Sequence, residues 1–150
     1  MAYGTSCTGI FASIAITAAV AAVKAGGTYY APTLAVYDPK KPGRTPPSSA
    51  AARARGVANW ANANSSTKRF HDAGIPIALG TDAGMPNTPH GVSALHEMEL
   101  LVEAGLTPTA ALMAGTANSA KVMGLIDDRG TIEVGKRADL VLVKGKPWET

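Results

Sequence analysis

Ile77-Ala78-Leu79-Gly80-Thr81-Asp82-Ala83-Gly84 joins an apolar run to a carboxylate and then to a glycine-bearing loop. Residues 75–80 (IPIALG) are apolar throughout, as parallel strands are when helices cover both of their faces. In parallel α/β folds, ligands bind at the C-terminal ends of the strands. Asp82 therefore stands where such folds place catalytic groups. A carboxylate there can hold a cation or accept a proton from a bound water. Gly80 and Gly84 let the backbone pass close to a ligand. The residues alone leave a second reading level with this one, in which Asp82 is an N-cap or ordinary loop carboxylate.

Upstream, residues 28–36 (TYYAPTLAV) are rich in β-branched and aromatic residues and read as another strand, with Pro32 limiting its pairing. A loop with four prolines follows over residues 37–47. Ser48 and Ser49 can cap a helix that runs to about Ala73, weakened at Gly56, open to interruption over 62–66 and stopped at Gly74. Downstream, residues 90–104 read as a helix with Gly105 just past its end. Val92, Leu95, Met98, Glu99 and Val102 share one mostly apolar side. Thr107-Pro108 is an N-cap followed by proline at the first helical position, a helix start reaching about Ala114. A second short helix is expected over 117–123. Residues 130–132 and 138–143 (ADLVLV) read as strands, joined by a turn at Gly135-Lys136. The alternation of strand, helix, strand, helix points to a parallel sheet with too few strands to close a barrel. The fold class is α/β, two β/α units of a (β/α)₈ barrel with a short C-terminal β segment.

At the other end, residues 10–23 are apolar and rich in Ala. They are too short for a membrane span and lack preceding Lys or Arg, so they read as a buried helix ending at Lys24, with Gly26 and Gly27 as the stop. Of the 150 residues, 46% are hydrophobic and 17% charged, which fits one globular domain. The net charge of +3 names no partner. Lys40, Lys41 and Arg44 are the densest cations; without interleaved aromatics they read as a solvated loop, not a nucleic-acid surface. Cys7 is the single cysteine, so no internal disulfide forms and a cytoplasmic setting is expected.

Three stretches together resemble the C-terminal part of the amidohydrolase superfamily, in the branch of imidazolonepropionase-like enzymes and related dipeptidases. They are residues 28–37 (TYYAPTLAVY), residues 70–91 (FHDAGIPIALGTDAGMPNTPHG) and residues 99–143, with LLVEAGLTPTAAL, GTIEVGK and ADLVLV. The resemblance implies that residues 28–36 are the seventh barrel strand and 75–80 the eighth. It implies a partial barrel over residues 1–129 and a piece of the flanking β-sandwich over 130–150. It also implies that Asp82 touches the active-site metal and acts as general base toward the hydrolytic water. The divalent metal, zinc in this expectation, accompanies activity on an amide or ester bond of a small molecule.

His90 falls in the family's His-Gly position after strand eight, where contact with substrate and capping of the next helix are both open readings. His96 lies six residues further, on a different helix face, and suggests no shared metal site with His90. His71 sits at a helix end, where the dipole favours a cation.

The family's other ligands come from strands one, four, five and six, which are missing. Tyr3 stands where the strand-six histidine of a His-Gly-Thr would fall. A catalytic zinc normally has three protein ligands, and Asp82 is one. Two readings follow: a hydrolase completed by homo-oligomerisation or by a partner, and a non-catalytic fragment serving as an oligomeric scaffold or binding module. Exposed strand edges make association expected in both.

Overall fold

The computed structural model describes residues 17–41, 43, 46–146 and 149. Cys7, Tyr3, Arg44 and the first part of the expected N-terminal helix lie outside these residues.

Helix α1 occupies residues 17–25 among those described. It is not buried as its composition suggested. Only Val20 and Val23 pack against the core, and the remaining residues face outward. Alanines carry too little apolar surface to force burial on both sides of a helix. Its end is as expected: the amides of Gly27 and Thr28 bond back to the carbonyls of Lys24 and Val23.

Among the described residues neither expected strand, 28–36 nor 75–80, forms beyond one isolated bridge. Tyr30 forms a single parallel bridge to Ile77, with its amide on Pro76 O at 3.1 Å and its carbonyl accepting from Ala78 N at 3.0 Å. Pro32 has no amide to extend the ladder. Thr33 then takes a left-handed φ of 51°, and the chain turns into the short helix α2, Leu34–Tyr37. Leu34 and Ala35 are buried there, in a turn where a strand was expected.

Helix α3, Ala50–Asp72, is the crossover that two parallel strands require. Ser49 Oγ caps it by accepting from Ala52 N at 3.1 Å. Neither Gly56 nor residues 62–66 interrupt it. Trp60, Ala63, Thr67 and Phe70, at helical spacing, face the core. Phe70 stacks on Tyr30 with ring centroids 4.4 Å apart. Past Asp72, the Gly74 amide bonds to His71 O and the Ile75 amide to Phe70 O, and Gly74 holds φ 76°. This pair of bonds turns the chain directly into the second strand.

Helix α4, Val92–Glu103, packs on α2 and on α5, Pro108–Met113. Its buried side is Ser93, Glu97, Leu100 and Leu101, followed by Ala104 just past its end. Of the side noted in the sequence, Val92 and Leu95 are 67% and 64% exposed, while Met98 and Val102 pack against the core. Thr107 Oγ1 caps α5 by accepting from Ala110 N. The two short helices expected next form one unbroken run: α5, a π-helical turn at Ala114–Asn118, and α6, Ser119–Val122. The turn is tied to the second strand, since Leu79 N donates to Ala114 O at 3.0 Å and Asn118 Nδ2 to Ile77 O at 2.9 Å.

Residues 130–132 and 138–143 form no ladder among the described residues. The turn at Gly135-Lys136 is present, with Lys136 N on Glu133 O. Val141 and Leu142 are 87% and 101% exposed. A strand needs an adjacent strand to satisfy its backbone, and these residues have none beside them. Ion pairs hold the base of the segment: Arg129 to Asp128 and Asp139, and Arg137 to Asp128.

Candidate functional site

The two segments joined by the Tyr30–Ile77 bridge continue side by side past it. A β-carbon at Gly80 would sit 3.2 Å from Ala31 Cβ, so glycine here lets the strand ends close on each other. Asp82 follows two residues later with φ 51°, a left-handed conformation that aspartate tolerates better than most residues. Its side chain is exposed. Its carbonyl accepts from Met85 N at 3.2 Å, Met85 O accepts from Thr88 N at 2.9 Å, and Thr88 O accepts from Gly84 N at 3.0 Å. Residues 82–88 are thus a compact, internally bonded loop, presenting one carboxylate at the mouth of the strand pair.

His90 closes the same loop. A β-carbon on Gly84 would lie 4.0 Å from its Nε2, and the ring is exposed. Both line or border the loop, but His90 belongs to a groove of about 1050 Å³ whose lining does not include Asp82. The two residues singled out in the sequence are therefore neighbours along one loop and not partners in one cavity. His71 sits in the last turn of α3.

The groove is walled by the 38–41 loop, the 84–90 loop and α4. Beneath it lies a polar cluster that the sequence reading missed. Glu97 is fully buried, and its two oxygens accept from Leu34 N and Ala35 N, each at 2.7 Å. It caps α2 from another helix, where a negative charge is favoured. Burial nevertheless pushes its pKa up to about 7, against these backbone hydrogen bonds. Glu97 could have been found from its spacing: it falls on the stripe 93, 97, 100, 101, 104, where a charge is unexpected.

Asp38, 1% exposed, accepts from Lys40 N at 2.8 Å and contacts His96 Nε2 at 2.9 Å. The other ring nitrogen of His96 meets Glu99 at 3.1 Å. Burial opposes the charge on His96, but hydrogen bonds to the two carboxylates overcome it and raise the pKa. Lys41 is not the solvated cation its loop suggested. It is 8% exposed, and its Nζ donates to Ala35 O at 3.2 Å and to Thr88 Oγ1 at 2.6 Å. Lys40 does reach solvent, paired with Glu103 at 3.2 Å.

Among the described residues, no group of three or more His, Cys, Asp or Glu side chains is arranged to hold a metal ion. The described part of this chain thus does not fit a complete catalytic metal centre, and Asp82 stands apart from the carboxylates around His96. No described helix is long and apolar enough to cross a membrane.

The profile of the amidohydrolase family matches residues 11–150. A probable imidazolonepropionase of Nematostella vectensis is 38% identical over 85 residues, 52% of this chain and 18% of that protein. The imidazolonepropionase of Geobacillus kaustophilus is 37% identical over 75 residues, 50% of this chain and 18% of that one. A 5-methylthioadenosine/S-adenosylhomocysteine deaminase of Moorella thermoacetica is 37% identical over 83 residues, 51% of this chain and 19% of its own length. Among solved structures, a Xaa-Pro dipeptidase with methionine bound in its active site superposes with a TM-score of 0.70 at 28% identity, covering 87% of this chain and 32% of that one. The aligned regions span about a fifth of the length of the curated relatives. The chain belongs to the amidohydrolase family.

Proposed function

We propose that this chain forms the closing β/α units of an amidohydrolase barrel and supplies Asp82 to a centre that hydrolyses an amide or ester bond of a small molecule. The observation that carries the reading is the position of Asp82: exposed, two residues past Gly80, on a loop with internal backbone hydrogen bonds. Its role is to accept a proton from the attacking water, or to be one ligand of a divalent ion, zinc by family expectation. His90, at the rim of the same loop, contacts the substrate.

Since the described residues do not make a metal centre, the reading draws the remaining ligands from outside them, from further parts of the polypeptide, another copy of this chain or a partner. The exposed apolar residues of α4 and of residues 138–143 favour such association. The boundary at 129/130 then separates the barrel part from the β-sandwich part, and a single cysteine suits a reducing, cytoplasmic setting.

Hydrolysis of N-acyl amino acids and aryl esters, with and without added zinc, tests the reading on the purified assembly. Asp82→Asn is expected to lower turnover by about 100-fold or more, the scale of a lost general base. Turnover that Asp82→Asn leaves unchanged would remove Asp82 from the mechanism.

A further inference from the structure

Lys41 is an ammonium under a groove wall, where a loop lysine would ordinarily keep its charge in water. Two of its hydrogen bonds run to different segments. One goes to Ala35 O, just past the end of the first strand, and the other to Thr88 Oγ1, in the loop after the second strand. Thr88 is itself only 2% exposed, and its carbonyl accepts the Gly84 amide, two residues from Asp82. On the other side, Ala35 is held twice, its N–H donating to the Glu97 carboxylate and its carbonyl accepting from Lys41. A second strap runs parallel, from Asn87 Nδ2 to Gly43 O at 3.2 Å.

We propose that Lys41 is a positioning residue for Asp82: with Thr88 it latches the loop after the second strand to the end of the first, and so fixes the backbone that presents the carboxylate. The catalytic meaning of the latch rests on the proposed role of Asp82, while the latch itself is a property of the loop. Burying an ammonium is unfavourable unless hydrogen bonds replace its water, and here they are directed at the two segments that must stay in register.

Residue-resolved hydrogen exchange on the full chain tests this. Thr88→Val removes the acceptor and keeps the side-chain shape, and Thr88→Ser keeps the hydroxyl. In Thr88→Val the Gly84 and Met85 amides should exchange about tenfold faster, while the Thr67 and Phe70 amides of α3 keep their wild-type rates. Thr88→Ser should restore the wild-type rates, which loss of packing alone would not explain. Lys41→Met should reproduce Thr88→Val; if Lys41→Met does not fold, the Thr88 pair decides alone. Unchanged Gly84 exchange in Thr88→Val overturns the proposal, as does an equal acceleration in α3. Because exchange reads the loop and not the chemistry, loosened exchange beside an Asp82→Asn variant of full activity would keep the latch and discard the hydrolytic role.

Discussion

Residues 75–80 are an apolar run, residues 138–143 are apolar but for Asp139, and the two end in opposite surroundings. Ile75, Ile77 and Ala78 are 2–4% exposed, bridged to Tyr30 and covered by α3. Leu140, Val141, Leu142 and Val143 are 52–101% exposed, with no ladder among the described residues. Both have the composition of a strand. The first has its partner within the chain, delivered by a crossover helix that ends in a tight glycine turn. The second is fixed only at its base, by the Arg129 and Arg137 ion pairs. Burial, and with it stability, follows the presence of a partner more than the propensity of the run.

The contrast can be broken by substitution. The largest effect is expected in the partnered region. Leu101, 0% exposed, supports the strand pair from α4. Leu101→Ala should cost about 2–5 kcal/mol in urea denaturation. A loss below 1 kcal/mol, on the order of a surface change, would mean that this core is loosely packed.

A second effect comes from the buried acid of the same region. Glu97 has its pKa raised from 4.5 to about 7, chiefly by burial. A raised folded-state pKa means that folding takes up a proton. The contribution is complete below pH 4.5 and is lost as pH rises through about 7. His96, raised from 6.5, acts in the same sense at somewhat higher pH. Stability should fall from about pH 5 to about pH 8 by on the order of 3 kcal/mol, and Glu97→Gln should flatten that slope. Denaturation curves at the two pH values check it. An equal slope in Glu97→Gln would place the dependence elsewhere.

A smaller effect belongs to the crossover helix that unites the strands. Ser49→Ala removes the cap bond to Ala52 N and should cost about 1 kcal/mol in the same measurement. The smallest belongs to the unpartnered run: Leu142→Ser should change the stability of the isolated chain by less than about 0.5 kcal/mol. A larger loss would show that residues 138–143 are covered in solution, by another copy or another part of the chain.

Much of the fold was legible in local signals. Ser49, Thr107-Pro108 and the glycines at 74, 105 and 124 mark helix ends through backbone chemistry, which acts over a few residues. That residues 28–36 and 75–80 approach each other was expected from their composition and the helix between them, but only Tyr30 and Ile77 pair. What was not legible depended on distant contacts. The turn at Thr33–Tyr37 is held by Glu97, 62 and 63 residues away along the chain. Lys41 looked solvated because its acceptor, Thr88, lies 47 residues on. Val92 and Leu95 looked like a core stripe because apolar spacing does not say which face meets a partner. At the candidate site, Asp82 was singled out from its place after an apolar run, whereas its separation from the His90 groove required the course of the loop.

The central claim is that Asp82 contributes to a hydrolytic centre completed from outside the described residues of one chain. Bound metal per chain, measured together with mass in solution by light scattering, tests it most directly. The account predicts a near-stoichiometric divalent ion in an assembly larger than one chain, lost in Asp82→Ala. A metal-free protein, or a metal content that Asp82→Ala leaves intact, would contradict it.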